Sequence, residues 1–213
     1  DPSKKHAGTY RSFLKKYEKD LSPVFPEHVR ENLLLHEFKC SSSAYKSLIG
    51  IKPVELCGSF FQMPTPLMAS NHAVGIQYAK NGMGGGIDIL SRVRHCGNRL
   101  CVMEVKDDYT NDTQEQALQQ ALAYATFLAL LLRSKNGEKW WKIFGFHGNV
   151  PKQLHIDVAS LTPLKDIDEQ KDEAISLPNN CTLHLYSLYF NDKALLAREK
   201  FEFKGTYVTA LQS

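Results

Sequence analysis

Three charged residues, Asp88, Glu104 and Lys106, are the part of the sequence best suited to chemistry. Asp88 interrupts the apolar run 87–90, and the other two interrupt the apolar run that begins at Leu100. Strand side chains alternate between faces, so Glu104 and Lys106 share one face of a strand. Charges on an apolar strand are costly to desolvate unless they are paired. A divalent cation held by two carboxylates would pair them, and with a lysine it can activate water beside a phosphodiester.

The segment around these residues predicts two neighbouring strands. The segment His95–Arg99 contains Gly97 and Asn98 and predicts a turn between a strand over 87–93 and a strand over 100–105. The two acids are 104 − 88 = 16 residues apart. This spacing fits two strands joined by a short turn, and it predicts that Asp88 and Glu104 lie close together.

A long helix is predicted after the second strand. The segment Thr113–Arg133 lacks Gly and Pro and is rich in Ala, Leu and Gln, which favour helix. Gln116, Gln120 and Tyr124 are spaced i, i+4 and i+8, so they form a polar stripe on an apolar helix. We interpret Gln116 as closing a capping box with Thr113. For Gln120 and Tyr124 we favour a place in the site, the alternative being a tyrosine of the plain core.

This arrangement resembles the PD-(D/E)XK nuclease superfamily, which has the restriction-endonuclease-like fold. The family pattern is an acid at the start of one strand, followed by acid-x-Lys in the next, and Glu104-Val105-Lys106 matches its second half in full. The first half is Ile87-Asp88, without the proline of the family's name. Gln120-Ala-Leu-Ala-Tyr124 resembles the Q-x-x-x-Y element of the exonuclease-type members.

The resemblance implies a metal-dependent nuclease, a hydrolase of phosphodiester bonds in nucleic acid, with DNA as the expected substrate. Asp88, Glu104 and Lys106 would be catalytic. The metal ligands would be Asp88, Glu104 and the backbone carbonyl of Val105, and the ion Mg²⁺ or Mn²⁺, because these hard cations prefer oxygen ligands. Lys106 would orient the attacking water or stabilise charge on the phosphate.

The resemblance also implies supporting groups from two helices. Gln120 and Tyr124 would position Lys106 or a phosphate oxygen by hydrogen bonding. In the resembled fold, a helix before the strands often contributes one more acid to the site. On the helix predicted over 27–39, Glu31 and Glu37 both qualify, and the sequence does not separate them.

The expected fold is α/β, with a restriction-endonuclease-like core of order α-β-β-β-α-β, a mixed sheet flanked by helices, and additional C-terminal strands. A single domain is expected over 1–213, its core about 27–148 and its β decoration about 149–213. The first strand of the core is predicted at Ala73–Lys80 and the fourth at Trp140–Phe146. Gly50–Pro66 is predicted as a long connection that contains one short strand. Further strands are predicted at Leu154–Val158, Thr182–Phe190 and within Ala194–Tyr207.

Composition is compatible with this interpretation without selecting it. The net charge is +3, which permits a nucleic-acid partner. The five cysteines include no C-x-x-C pair and are typical of reduced thiols, so a cytoplasmic location is expected. No apolar stretch has the length of a membrane span, so no membrane partner is expected, and the oligomeric state stays open. The basic segment Lys4–Lys19 fits either a phosphate contact or a solvated face.

Two alternatives to the nuclease stay open. One is a member of the same fold that binds nucleic acid or protein without cutting. The other is an unrelated α/β protein in which Glu104 and Lys106 form an exposed ion pair on an edge strand. The eight histidines are scattered without ligand spacing and are interpreted as surface or core residues rather than metal ligands.

Overall fold

The computed structural model describes residues 26–40, 50–56, 59–61, 63–69, 77–78, 85–93, 99–107, 113–164 and 173–212. The predicted basic N-terminal segment and Cys96 lie outside these residues. The helices are α1 Pro26–Cys40, α2 Gln114–Leu132, α3 Gly137–Ile143, α4 Asp192–Ala197 and α5 Thr206–Gln212. The strands are β1 Ile51–Pro53, β2 Glu55–Leu56, β3 Ser59–Phe60, β4 Leu67–Met68, β5 Gln77–Tyr78, β6 Ile89–Val93, β7 Arg99–Val105, β8 Leu154–Pro163, β9 Glu173–Leu177 and β10 Cys181–Phe190.

One mixed sheet of six strands organises the molecule, in the order β1-β6-β7-β8-β10-β9. The strands β1, β6 and β7 form an antiparallel meander. The strands β7, β8 and β10 are parallel, and β9 returns antiparallel to β10. The segment predicted as β decoration therefore supplies two of the four inner strands, β8 and β10, and the main sheet extends well past residue 148.

Helices cover both faces of this sheet. On one face α2 packs against β7, β8 and β10, and the apolar cluster includes Val102, Ile156 and Leu183. On the other face the cluster contains Leu34 of α1 and Tyr207 of α5. The chain is thus a mixed α/β fold with an inner sheet buried on both sides, which agrees with the predicted class. Within the described residues, none of the helices combines the length and apolar character that crossing a bilayer requires.

The helix α2 forms where the sequence predicted it, and its start is fixed by a capping box. The Thr113 hydroxyl accepts a hydrogen bond from the backbone N–H of Gln116 at 3.2 Å. The Gln116 side chain accepts one in return from the backbone N–H of Thr113 at 2.7 Å. The helix is the crossover between β7 and β8, because parallel neighbours cannot be joined by a tight turn.

The prediction of a fourth strand at Trp140–Phe146 is wrong, because most of this segment is the helix α3. Trp141 and Phe144, three residues apart, are both buried against α2, which is helical rather than strand spacing. The run is too apolar and aromatic for its sequence alone to separate the two periods. The strand that pairs with β7 is β8, which begins at Leu154 and continues to Pro163, past the predicted end at Val158.

Two other predicted strands also differ. The outer strand beside β6 is β1, a short strand inside the predicted connection 50–66, whereas the described part of Ala73–Lys80 is β5, which pairs with β4 outside the main sheet. Pro53 is compatible with β1 because an edge strand leaves one side of its backbone unpaired. The segment Ala194–Tyr207 is not a strand. It runs from α4 to α5, and Lys204 makes an isolated bridge to Tyr189.

Candidate active site

The meander places Asp88 next to Glu104. The register of β6 with β7 pairs Ile89 with Met103, so one further step brings Asp88 opposite Glu104. The Asp88 carboxylate accepts a hydrogen bond from the backbone N–H of Val105 through Oδ2 at 2.9 Å. Asp88 is therefore held against the end of β7, where the acid-x-Lys motif lies.

Glu104 is a buried carboxylate with one oxygen left over. Its side chain lies on the α2 face of the sheet, and the residue is 5% exposed. Its Oε1 accepts a hydrogen bond from Lys106 Nζ at 3.0 Å. Its Oε2 is buried and accepts no hydrogen bond from any described residue. Burial, and next the charge of Asp88, raise the pKa of the Glu104 carboxyl well above 4.5.

This burial excludes the alternative of an exposed ion pair on an edge strand. The strand β7 lies inside the sheet between β6 and β8. Lys106 is also only 5% exposed. Burial by itself lowers the pKa of the Lys106 ammonium, but the carboxylates of Glu104, Asp88 and Glu27 raise it above 10.5. The lysine therefore remains a cation throughout the neutral range.

The helix α1 adds two more acids to the same place. Glu27 and Glu31 are four residues apart and lie on one side of the helix. Carboxylate oxygens of Glu27, Glu31 and Asp88 lie within 4.8 Å of one another. Glu27 Oε1 also accepts a hydrogen bond from Lys106 Nζ at 3.3 Å. The Lys106 ammonium therefore links Glu27 of the triad to Glu104.

The structure separates the two acids between which the sequence left the choice open. Glu31 is buried within the triad. Glu37 lies two turns further along α1 and lines a different cleft, together with His36 and Arg198. Glu27 was not among the predicted site residues. The sequence could have indicated Glu27, because a glutamate four residues before Glu31 lies on the same face of the helix.

The position of α1 depends on contacts far from the acids in sequence. Arg30 is buried and holds both carboxylate oxygens of Asp192, with Nε to Oδ1 at 2.6 Å and Nη2 to Oδ2 at 2.7 Å. Asp192 opens α4, so this bidentate pair joins two helices on one face of the sheet. Leu34 and Phe38 then bury the apolar side of α1. These contacts hold α1 in one position, and with it the acids Glu27 and Glu31.

The residues fit a hard divalent cation. Burial, and then the charge of Asp88, raise the pKa of the Glu27 carboxyl above 4.5. A carboxylate whose pKa is raised by neighbouring acids is stabilised in its charged form when a cation enters between them. Next to Glu104 in the register of β7 with β8 lies Ser160, whose hydroxyl is buried without a hydrogen bond from the described part of the chain. Oxygen atoms of this kind suit Mg²⁺, Mn²⁺ and their bound water.

The helix α2 supplies the two polar residues that the sequence placed in the site. Gln120 and Tyr124 are each 2% exposed. Burial, followed by the charges of Glu104 and Asp88, raises the pKa of the Tyr124 phenol, which therefore stays protonated and lies close to both acids. Gly85 packs directly over the Tyr124 hydroxyl, and a Cβ atom there would collide with it. A side chain at position 85 would therefore displace the Tyr124 hydroxyl, so this close approach favours glycine there.

The comparisons with known proteins gave no match: no protein-family model, curated protein or solved structure is similar to this chain at the level required for significance.

Proposed function

We propose that this chain is a metal-dependent nuclease that hydrolyses phosphodiester bonds, with DNA as the expected substrate. The observation that carries the proposal is the buried Oε2 of Glu104, which has no hydrogen-bond partner among the described residues and lies beside the Glu27–Glu31–Asp88 triad and Lys106. A protein that keeps a buried carboxylate oxygen without a partner loses stability by doing so. Such a loss is expected where a ligand completes the site.

The order of the elements supports the same proposal. The chain runs through α1, the meander strands β1, β6 and β7, the helix α2 and the parallel strand β8. This matches the α-β-β-β-α-β order that the family resemblance implies, apart from small hairpins inserted between β1 and β6 and the short helix α3 inserted between α2 and β8. The acid-x-Lys motif lies on the third strand of that order and the Q-x-x-x-Y element on the following helix.

Each side chain has a role that follows from its charge state. Glu104, Asp88, Glu31 and Glu27 would hold Mg²⁺ or Mn²⁺, with the Val105 carbonyl as a further proposed ligand. The bound ion would polarise the scissile phosphate and lower the pKa of its water. Lys106 stays protonated, so it would stabilise negative charge developing on the phosphate rather than accept a proton. The protonated phenol of Tyr124 would donate a hydrogen bond, and Gln120 would help to position the phosphate.

A cleavage assay on single-stranded, duplex and branched DNA and on RNA, with Mg²⁺, Mn²⁺ or a chelator, tests the proposal. We expect metal-dependent cleavage that falls by at least about 100-fold in Asp88→Asn, Glu104→Gln and Lys106→Ala. Glu37→Gln is the matched control, because it removes an acid from α1 outside the cluster, and it should cleave like the wild type.

Two results would contradict the nuclease. Cleavage that survives Glu104→Gln in a folded protein would mean a contaminating activity. Salt-sensitive binding of DNA with no cleavage of any substrate would instead favour the non-cutting member of the fold.

A further inference from the structure

Two histidines that are 29 residues apart in sequence meet on the other face of the sheet. His155 on β8 and His184 on β10 are diagonal neighbours, because the parallel register pairs His155 with Thr182 and His184 with Asp157. His155 Nδ1 and His184 Nε2 are 2.9 Å apart. The rings are nearly parallel, with centroids 5.2 Å apart and an angle of 27° between their planes.

The environment keeps both imidazoles neutral. Burial, and then the Arg99 guanidinium, lower the pKa of His155 below 6.5. The same two causes, and then His155 itself, lower the pKa of His184. Asp157, the register partner of His184 on β8, is turned to other partners, since it contacts Arg99 at 3.4 Å and the Tyr207 hydroxyl at 3.1 Å. Neutral imidazoles are the form that binds metal.

The 2.9 Å contact is a hydrogen bond when one of the facing nitrogens carries a proton, and a metal ion can replace that proton. Each neutral imidazole carries one proton, and when that proton is on the outer nitrogen both facing nitrogens present lone pairs. Two lone pairs at this distance repel unless a proton or a cation lies between them. Zn²⁺ binds imidazole nitrogen at about 2.0–2.1 Å, which places two nitrogens on one tetrahedral ion about 3.3 Å apart. A small rotation of the two rings provides that separation.

We propose that His155 and His184 form a second metal site, for a borderline transition-metal ion such as Zn²⁺, with water completing the coordination. Imidazole selects this class of ion, whereas the carboxylate cluster selects hard cations. The two sites are separate. The histidines lie near the start of β8 on the α1 face, and Glu104 lies near the end of β7 on the α2 face. The hydrogen-bonded pairing of β8 with β10 already holds the two histidines in place, so metal binding costs little conformational entropy.

A metal ion that binds only the folded protein stabilises it by an amount that grows with the logarithm of the free metal concentration above Kd. The test is the melting temperature and the calorimetric affinity for Zn²⁺ at pH 7.5, in the wild type, His155→Asn and His184→Asn. We expect a zinc-dependent rise in melting temperature in the wild type, and an apparent affinity at least about tenfold weaker in each variant. His147→Asn is the matched control, because it removes an exposed histidine outside the pair.

A variant of the acidic cluster distinguishes zinc binding at the histidine pair from zinc binding at the acids. In Glu31→Gln the zinc-dependent rise in melting temperature should persist. In the wild-type protein the imidazole NMR signals of His155 and His184 should shift when zinc is added. The proposal is overturned if zinc produces no response, or if the response is equal in His147→Asn and both histidine variants. Because no readout is cleavage, these results are independent of the nuclease assay.

Discussion

The inner strands bury two carboxylates, Glu104 on β7 and Asp157 on β8, and only one of them is satisfied by the protein. Asp157 is 2% exposed, and its two oxygens contact Arg99 and Tyr207. Glu104 is buried to a similar degree, yet one of its oxygens receives no hydrogen bond within the described part of the chain, and it has other acids as neighbours. A carboxylate with partners serves the fold, whereas a buried acid surrounded by acids indicates a site that a cation completes.

The largest expected effect on stability is at the satisfied carboxylate. Asp157→Ala leaves the buried Tyr207 hydroxyl and the half-buried Arg99 without their acceptor, so we expect a loss of about 2–4 kcal/mol in the free energy of unfolding. Chemical denaturation measures it. Asp157→Asn should lose less, because the amide oxygen can still accept from Tyr207. If Asp157→Ala melts like the wild type, the two carboxylates do not differ as described.

The next effect is on cation affinity. Glu31→Gln removes one acid of the triad, and we expect Mn²⁺ or Mg²⁺ to bind at least about tenfold more weakly, a difference of about 1.4 kcal/mol. Isothermal titration calorimetry measures the affinity for either ion. Glu37→Gln and Asp157→Asn should bind the ion like the wild type. Equal weakening in Glu37→Gln would mean that bulk charge, not the triad, attracts the cation.

A smaller effect of opposite sign is expected in the metal-free protein. Glu104→Gln removes a charge that is buried near Asp88 and Glu27, so repulsion and desolvation both decrease, although one partner of Lys106 is lost. We expect a gain of about 1 kcal/mol, or about 2–4 °C in melting temperature. Added Mg²⁺ should stabilise the wild type and not this variant. A large loss of stability would make the Glu104–Lys106 pair structural.

The smallest effect is on pH dependence. Burial raises the pKa of the Asp157 carboxyl from 3.8 to about 6 in the folded protein, although Arg99 and Tyr207 oppose the rise. The folded state therefore binds more protons than the unfolded state between these values, and this carboxyl lowers stability as pH rises through that window. The unfolding free energy of the wild type, minus that of Asp157→Asn, should fall from pH 4 to pH 6. A rising difference would contradict the assigned burial.

The sequence by itself determined the local elements and the central motif. Apolar patterning predicted the strands β6 and β7 and the helices α1 and α2, and the cap at Thr113 was visible in its spacing to Gln116. The same patterning failed at Trp140–Phe146, where dense aromatic residues fit both periods. Helices, strands and caps depend mainly on residues that are close together in the chain, which is why the sequence alone can predict most of them.

Only the tertiary structure decided which groups meet across the sheet and between helices. Glu27 and Glu31 reach Asp88, which lies just before β6, because two contacts hold α1 against the sheet. These are the Arg30–Asp192 pair and the burial of the apolar face of α1. His155 meets His184 because β8 and β10 pair in parallel, with one particular register. Such contacts follow from long-range packing, in which the burial of whole faces, rather than any local spacing, sets the distances.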